Sequence, residues 1–426
     1  MSERIRAVWR PSPDAYGPRK HPRPCAYQAY VPDPLSSLPR ELSSDLAADV
    51  VDVESALARF DGQTRARHDL ERLARFLLRA EAVASSKIEG LQVNTRRLAR
   101  HEAMAAAGIS DRDDTAEAVL GNVTAMQLAV DRVATLPSVT RTHIAQIHAE
   151  LMCHSGQSGS AGHVRTEQNW IGGNDFNPCQ AAFVPPPPTR VRALLDELCS
   201  FVNRDDLPGT VQASLVHAQF ETIHPFADGN GRTGRALIHV VLRRRGLATG
   251  FIPPISLVLA TRADAYINGL TRFRYDGPPD SAPAREGVRE WLGVFLDATR
   301  RATDEAEALC DRMADLEKRW RAALHPRRNS AADRLLPHLI ANPVIGVGDV
   351  IRLTGASRAA AFNAIAQCVE SRVIRPLGNR ARNRLFEARE VFVVLTDYER
   401  ALATQSGDTR TEPPRRPVPH RGKANR

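Results

Sequence analysis

The sequence predicts a mostly α-helical protein with one short β-hairpin and a small helix-turn-helix unit towards its C-terminus. Three observations carry that expectation. Apolar residues recur at i, i+3 and i+4 in successive windows from Leu42 to Ile223. The stretch 163–188 breaks this period with two short extended runs around a polar turn, closed by four prolines. From about residue 331 the pattern changes again, to short helices, a Val-Ile run, a basic loop and Leu385-Phe386.

Taken in order, residues 1–45 hold many prolines (Pro11, Pro13, Pro18, Pro22, Pro24, Pro32, Pro34, Pro39), so an extended arm lying on the rest of the chain is expected. Residues 46–130 read as a helical region. Its clearest stripe is Leu70, Leu73, Leu77, Ala80 and Ala84, ending at Gly90. Further helical windows cover about 111–135, 141–153, 189–204 and 211–223. Trp170-Ile171-Gly172-Gly173 and Ala181-Ala182-Phe183-Val184 are the two arms of the expected hairpin. A linking helix is expected over 301–330. In 331–400, Leu335, Leu336, Leu339 and Ile340 form one stripe and Val350-Ile351 starts another. Thr354-Gly355-Ala356-Ser357 is a turn with a capping serine, and a third helix over 358–371 carries Ala361, Ile365 and Cys368 inward. Helix, helix, turn, helix and hairpin is the winged helix-turn-helix plan. Residues 401–426 are rich in Pro and Arg and poor in large apolar residues, so a disordered basic tail is expected.

At 426 residues the chain is long enough for two or three domains. A net charge of +9 suits nucleic acid or an acidic partner and does not choose between them. The six cysteines (Cys25, Cys153, Cys179, Cys199, Cys310, Cys368) are scattered with no Cys-x-x-Cys pair, so reduced thiols are expected. Met-Ser-Glu-Arg-Ile-Arg has no apolar secretion signal and no run reaches membrane length; a cytoplasmic protein without membrane contact is expected.

Chemistry concentrates in residues 224–235, His-Pro-Phe-Ala-Asp-Gly-Asn-Gly-Arg-Thr-Gly-Arg. This run supplies a proton acceptor (His224), a hard-metal ligand (Asp228), glycines that let backbone N–H groups approach an anion, and two guanidinium forks (Arg232, Arg235). An apolar helix follows, adding its positive dipole end. The set implies transfer to or from a nucleoside polyphosphate, with His224 as general base.

The dodecamer resembles the Fic signature, His-x-Phe-x-Asp/Glu-Gly-Asn-x-Arg-x-x-Arg, at every constrained position. The resemblance implies a Fic domain over 131–300 that uses ATP and Mg²⁺ to place AMP on a Tyr, Thr or Ser hydroxyl of a target protein. By position, His224 is then the base and Asp228 the metal ligand. Gly229, Asn230, Gly231, Thr233 and Gly234 form the nucleotide loop, Arg232 and Arg235 hold the β- and γ-phosphates, and Phe226 anchors the loop. Gly231 matches the AMP-transferring members, where phosphorylating relatives carry Lys. The segment from Gln168 to Pro186 is similar to the Fic flap, implying target docking on Phe183, Val184 and Pro185. Tyr266 falls where the family has a Tyr-Tyr pair near the adenine; Ile267 replaces the second tyrosine. Ser85-Ser86-Lys87-Ile88-Glu89-Gly90 resembles the family's inhibitory motif, so Ser85 and Glu89 are expected to brake the enzyme through Arg235. Fic proteins with this N-terminal brake often end in a winged helix. Alternatives stay open: a DNA-binding regulator with a Fic sensor of low turnover, or an enzyme that transfers another nucleotide or removes AMP. A homodimer contact, and DNA or protein contact through 331–400, also stay open.

Overall fold

The computed structural model describes residues 1–11, 23–39, 41–66, 70–110, 112–153, 158–378 and 383–403. Sixteen α-helices and five short strands occur among them. The proline-rich start forms an antiparallel pair, β1 (Glu3–Trp9) and β2 (Cys25–Val31), with Glu3 opposite Val31 and Trp9 opposite Cys25. This pair lies on the helical body. Ser2 Oγ and Tyr30 Oη each donate to the Tyr275 carbonyl, at 3.1 and 2.8 Å, and Tyr275 Oη donates to Asp33.

The helices follow as α1 (Ser44–Ala66), α2 (Leu70–Ile88), α3 (Thr95–Ala106), α4 (Asp114–Asp131), α5 (Arg141–Met152), α6 (Pro188–Val202), α7 (Gly209–Ile223), α8 (Asn230–Arg244), α9 (Ile255–Thr261), α10 (Ala263–Phe273) and α11 (Ala282–Leu324). Their starts obey ordinary capping. Asn94 and Asp113 accept from backbone N–H groups three residues on, capping α3 and α4, and Ser281 with Pro283 opens α11. Leu77, Ala80 and Ala84 of the expected α2 stripe are buried. At 43 residues, α11 is about 65 Å long, and the expected boundary at 300 falls inside it. The core centres on α7, buried on every side from Gly209 to Ile223; such a helix needs neighbours all round, and α8, α6, α11, α1 and α10 supply them.

The anticipated hairpin is reduced to one bridge, Ile171 with Phe183. Gly172 and Gly173 take positive φ (73° and 83°), and Pro185 to Pro188 have no N–H to donate, so no ladder extends beyond it. One sequence expectation is overturned: Cys25 and Cys179 form a disulfide, with Cα atoms 5.9 Å apart. A separation of 154 residues hides the pairing in the sequence; only the docking of β2 against the turn Pro178–Gln180 brings the thiols together.

The C-terminal part comprises α12 (Ala331–Leu335), α13 (His338–Ala341), β3 (Val344–Gly346), α14 (Val347–Thr354), α15 (Arg358–Glu370), β4 (Arg375–Leu377), β5 (Leu385–Glu387) and α16 (Arg389–Ala403), with sheet order β3-β5-β4. The single stripe expected over 335–340 is two short helices, because Pro337 stands between them. Ser357 caps α15, as its position suggests. Glu387, buried in β5, takes a bidentate bond from Arg96 of α3 and another from Arg375. Arg79 of α2 donates to the Ala341 carbonyl at 2.8 Å, which ties α2 to the C-terminal part. Arg380 and Arg382 of the expected basic loop, and residues 404–426 of the expected tail, lie outside the described residues, while 401–403 end α16. Among the described residues no helix is long and apolar enough to cross a membrane.

Candidate active site

The end of α7 and the start of α8 define the site. His224 caps α7 in the left-handed region (φ 49°), a conformation that costs a non-glycine residue free energy and must be held by its surroundings. Arg165 Nε donates to the His224 carbonyl at 2.8 Å and Asn169 Nδ2 at 3.3 Å. Asn230 then clamps the turn, accepting from Phe226 N–H and donating to Phe226 C=O, both at 2.8 Å. Phe226 is buried, as the sequence suggests, and stacks flat on His148 at 3.8 Å. Gly162 N–H donates to His148 Nδ1, so Nε2 carries the hydrogen and donates to the Asp228 carbonyl at 2.9 Å. Burial pushes the His148 imidazole down to about 4, keeping it neutral in this role.

Gly229 opens α8 with φ 75°. A side chain there would press on Leu151, Met152 and His148 at 3.1–3.3 Å, so glycine meets both the conformation and the space. The first N–H groups of α8 have no partner within the helix and face the loop. Arg232 lies just inside this mouth, 3.9 Å from Asp228 Oδ2. His224 keeps a partly open imidazole, with 18% of its side chain exposed. Burial, then Arg274 and Arg165, push it down to about 4, so it is unprotonated at neutral pH and able to accept a proton.

Arg235 is fully buried. Its Nε donates to Ser85 Oγ (2.8 Å), and its Nη2 donates to Ser85 C=O (2.9 Å) and Glu89 Oε1 (2.7 Å). The guanidinium is 1% exposed, while the Glu89 side chain is 35% exposed. Burial opposes ionisation of Glu89, yet Arg235, then Arg232 and His224, outweigh it and hold the carboxyl below its usual range. The same carboxylate abuts Gly231: a Cβ at 231 would sit 1.9 Å from Glu89 Oε1. Thus Ser85, Glu89, Gly231 and Arg235 meet, as their motifs imply.

Tyr266 is buried, its hydroxyl 2.8 Å from His217 Nε2 and 3.5 Å from Arg235 Nη1. The structure therefore places it beneath Arg235 and not on an open face. Phe183 lies under the Arg274 guanidinium at 3.7 Å. Val184 and Pro185 are buried, and their carbonyls are engaged: Tyr30 N–H donates to Val184 at 2.9 Å and Gln168 Nε2 to Pro185 at 2.9 Å. Sequence reasoning missed His148, Arg165 and Arg274, each isolated in the chain with no local motif to mark it, and saw Asn169 only as part of the flap-like segment.

Residues 138–242, from α5 through most of α8, match the Fic/DOC family model. The chain carries a Fic/DOC domain. Residues 48–131, which include α2, match the model of the Fic/DOC family N-terminal region. Over 110 residues the chain is 33% identical to protein adenylyltransferase fic-1 of Caenorhabditis elegans, covering 25% of this chain and 19% of that protein. A probable protein adenylyltransferase of Aquifex aeolicus is 41% identical over 68 residues, 16% of this chain and 21% of that one. The chain thus spans about a fifth of the length of these curated relatives. A Fic family protein from Desulfovibrio desulfuricans G20 shares the fold with a TM-score of 0.50 at 20% identity, over 82% of this chain and 98% of that one.

Proposed function

We propose that this chain is a protein adenylyltransferase that moves AMP from ATP to a hydroxyl side chain of a target protein, restrained by Glu89. The observation that carries the reading is a neutral, partly open His224 at the mouth of a loop backed by a helix N-terminus and two buried arginines. His224 takes the hydroxyl proton as that oxygen attacks the α-phosphate. Arg232, Arg235 and the N–H groups of Asn230 and Gly231 at the start of α8 gather the phosphates, on a loop shaped by Gly229, Thr233 and Gly234, so rate comes from positioning and charge stabilisation.

Asp228 suits Mg²⁺. Its carboxylate is half-exposed at the rim, with one oxygen accepting from Gly229 N–H at 2.7 Å. Such an ion takes one or two carboxylates plus phosphate oxygens, so Asp228 together with a bound nucleotide would suffice to hold it. When bound, the metal would neutralise phosphate charge.

The brake reading rests on the Arg235–Glu89 pair, because a guanidinium so occupied is withheld from the γ-phosphate. Phe183 to Pro185 are read as the target-docking segment, and 331–400 as a winged helix-turn-helix unit from its β3-β5-β4 sheet and α14–α15 pair. Labelled ATP tests the proposal. Glu89→Gly should label itself or lysate proteins strongly, and adding His224→Ala should lower that rate by roughly 10²–10⁴-fold while nucleotide binding persists. Equal labelling by both variants would remove His224 from the mechanism.

A further inference from the structure

His217 and Glu221 lie at i and i+4 on α7, on the face turned to α8, and His224 follows as the left-handed cap of the same helix. The helices meet closely there. A Cβ on Gly234 would stand 2.7 Å from Glu221 Oε1 and 3.3 Å from His217 Nδ1. Glu221 is 6% exposed, and its other oxygen, Oε2, is 3.9 Å from His224 Nδ1. His217 Nδ1, Glu221 Oε1 and His224 Nδ1 are all buried without a hydrogen-bond partner. A buried carboxyl oxygen without a hydrogen-bond partner calls for another role.

We propose that Glu221 is the positioning residue of the base: its carboxylate takes the Nδ1–H of His224, leaves Nε2 to accept the proton, and pairs with the imidazolium formed during transfer. The inference rests on His224 being the base in the proposed adenylyl transfer. In that step the target O–H proton passes to Nε2 as its oxygen bonds to the α-phosphorus. The bond from that phosphorus to the bridging oxygen breaks, and pyrophosphate leaves with the electron pair. The imidazolium beside Glu221 later returns its proton to solvent. The pair stands at 3.9 Å, beyond hydrogen-bond length, so the pairing requires a side-chain rotation that brings the carboxylate onto Nδ1. Buried carboxylate and imidazole are worth more to each other here than in water, because the low-dielectric interior strengthens their attraction.

The groups facing Glu221 are His217 and His224 on its own helix, Arg235 from α8, Tyr266 from α10, Arg274 just after α10, and Glu89 after α2. Burial pushes its carboxyl up to about 7; Arg235 and Arg274 oppose this and Glu89 adds to it. His224 is pushed down to about 4. The acid limb of the transfer rate therefore belongs to Glu221 and not to His224: as pH falls, Glu221 gains a proton and the Nδ1–H loses its anion.

The test is the pH profile of self-labelling between pH 5 and 9 in Glu89→Gly, with and without Glu221→Gln. The expected parent limb lies at or below pH 7, since Glu89 is gone. With glutamine the limb disappears and kcat falls roughly 10- to 1,000-fold, with KM for ATP within about twofold. Glu221→Asp should restore the limb and part of kcat, and its behaviour decides the matter if the glutamine variant melts early. An unchanged limb and rate in Glu221→Gln overturns the proposal. Should Glu89→Gly transfer no AMP at all, the function reading fails separately. Histidine ¹⁵N shifts, assigned with His224→Ala, then judge the pairing: Nδ1 protonated in the Glu89→Gly protein and altered by Glu221→Gln supports it, and identical shifts overturn it.

Discussion

At the residue scale, Asp228 separates metal chemistry from loop building. Its side chain points to the rim and, among the described residues, bonds its neighbour's N–H and, distantly, Arg232, while its carbonyl is held by His148. Asp228→Ala should therefore leave the loop intact and lower Mg²⁺-dependent labelling, with excess Mg²⁺ restoring it only in part because phosphates alone bind the ion weakly. Labelling indifferent to chelators would contradict the assignment. Contiguity made this residue legible: residues 224–235 carry their own turn, helix start and charges. His148, Arg165 and Asn169 act on the same loop from 55 or more residues away. His148 and Arg165 belong to no local motif, and Asn169 was legible only as part of the flap-like segment. Their task, holding a left-handed His224 and a turn of carbonyls, exists only once tertiary structure forms.

Among elements, α2 is the informative one. Its apolar stripe and the glycine after it were readable, because a 3.6-residue period and a left-handed Gly90 (φ 83°) are local properties. Its buried polar face was not: Glu81 bonds His239 at 3.0 Å and Ser256 N–H at 2.8 Å, a pattern that looks solvent-facing until α8 and α9 are in place. The last turn presents Ser85 and Glu89 to Arg235. A cycle of variants tests that contact as a brake. Glu89→Gly should raise labelling well above the parent, Arg235→Ala should lower it, and the double variant should match Arg235→Ala alone. Additive effects, as from a surface charge pair, would sink the idea. The extended arm behaves oppositely: proline content marked it as non-helical, but its pairing as β1 and β2 and its disulfide to Cys179 depend on long-range docking.

For the whole molecule, three buried histidines set acid stability. His148, His217 and His224 are pushed down to about 4, 3 and 4, chiefly by burial. Between pH 6.5 and about 4.5 the unfolded chain holds protons on them that the folded one does not, so stability falls as pH falls. Glu221, pushed up to about 7, acts in the opposite sense over the same window. These four groups together differ by about two protons, a slope of roughly 2–3 kcal/mol per pH unit at most from them. Urea unfolding at pH 7.5 and pH 5 should show a clearly lower midpoint at pH 5. A midpoint independent of pH would mean these imidazoles titrate normally.

The Glu89–Arg235 contact joins residues 146 apart in one polypeptide. Its two halves therefore meet at a local concentration fixed by the fold, and dilution leaves that concentration untouched. Nucleotide has to compete with a tethered carboxylate, so restraint should respond to ATP level and to anything that displaces the turn after α2, but not to how much enzyme is present. Specific labelling per molecule should stay constant from nanomolar to micromolar protein. A rise on dilution would mean that a second copy, and not the chain's own glutamate, supplies the restraint.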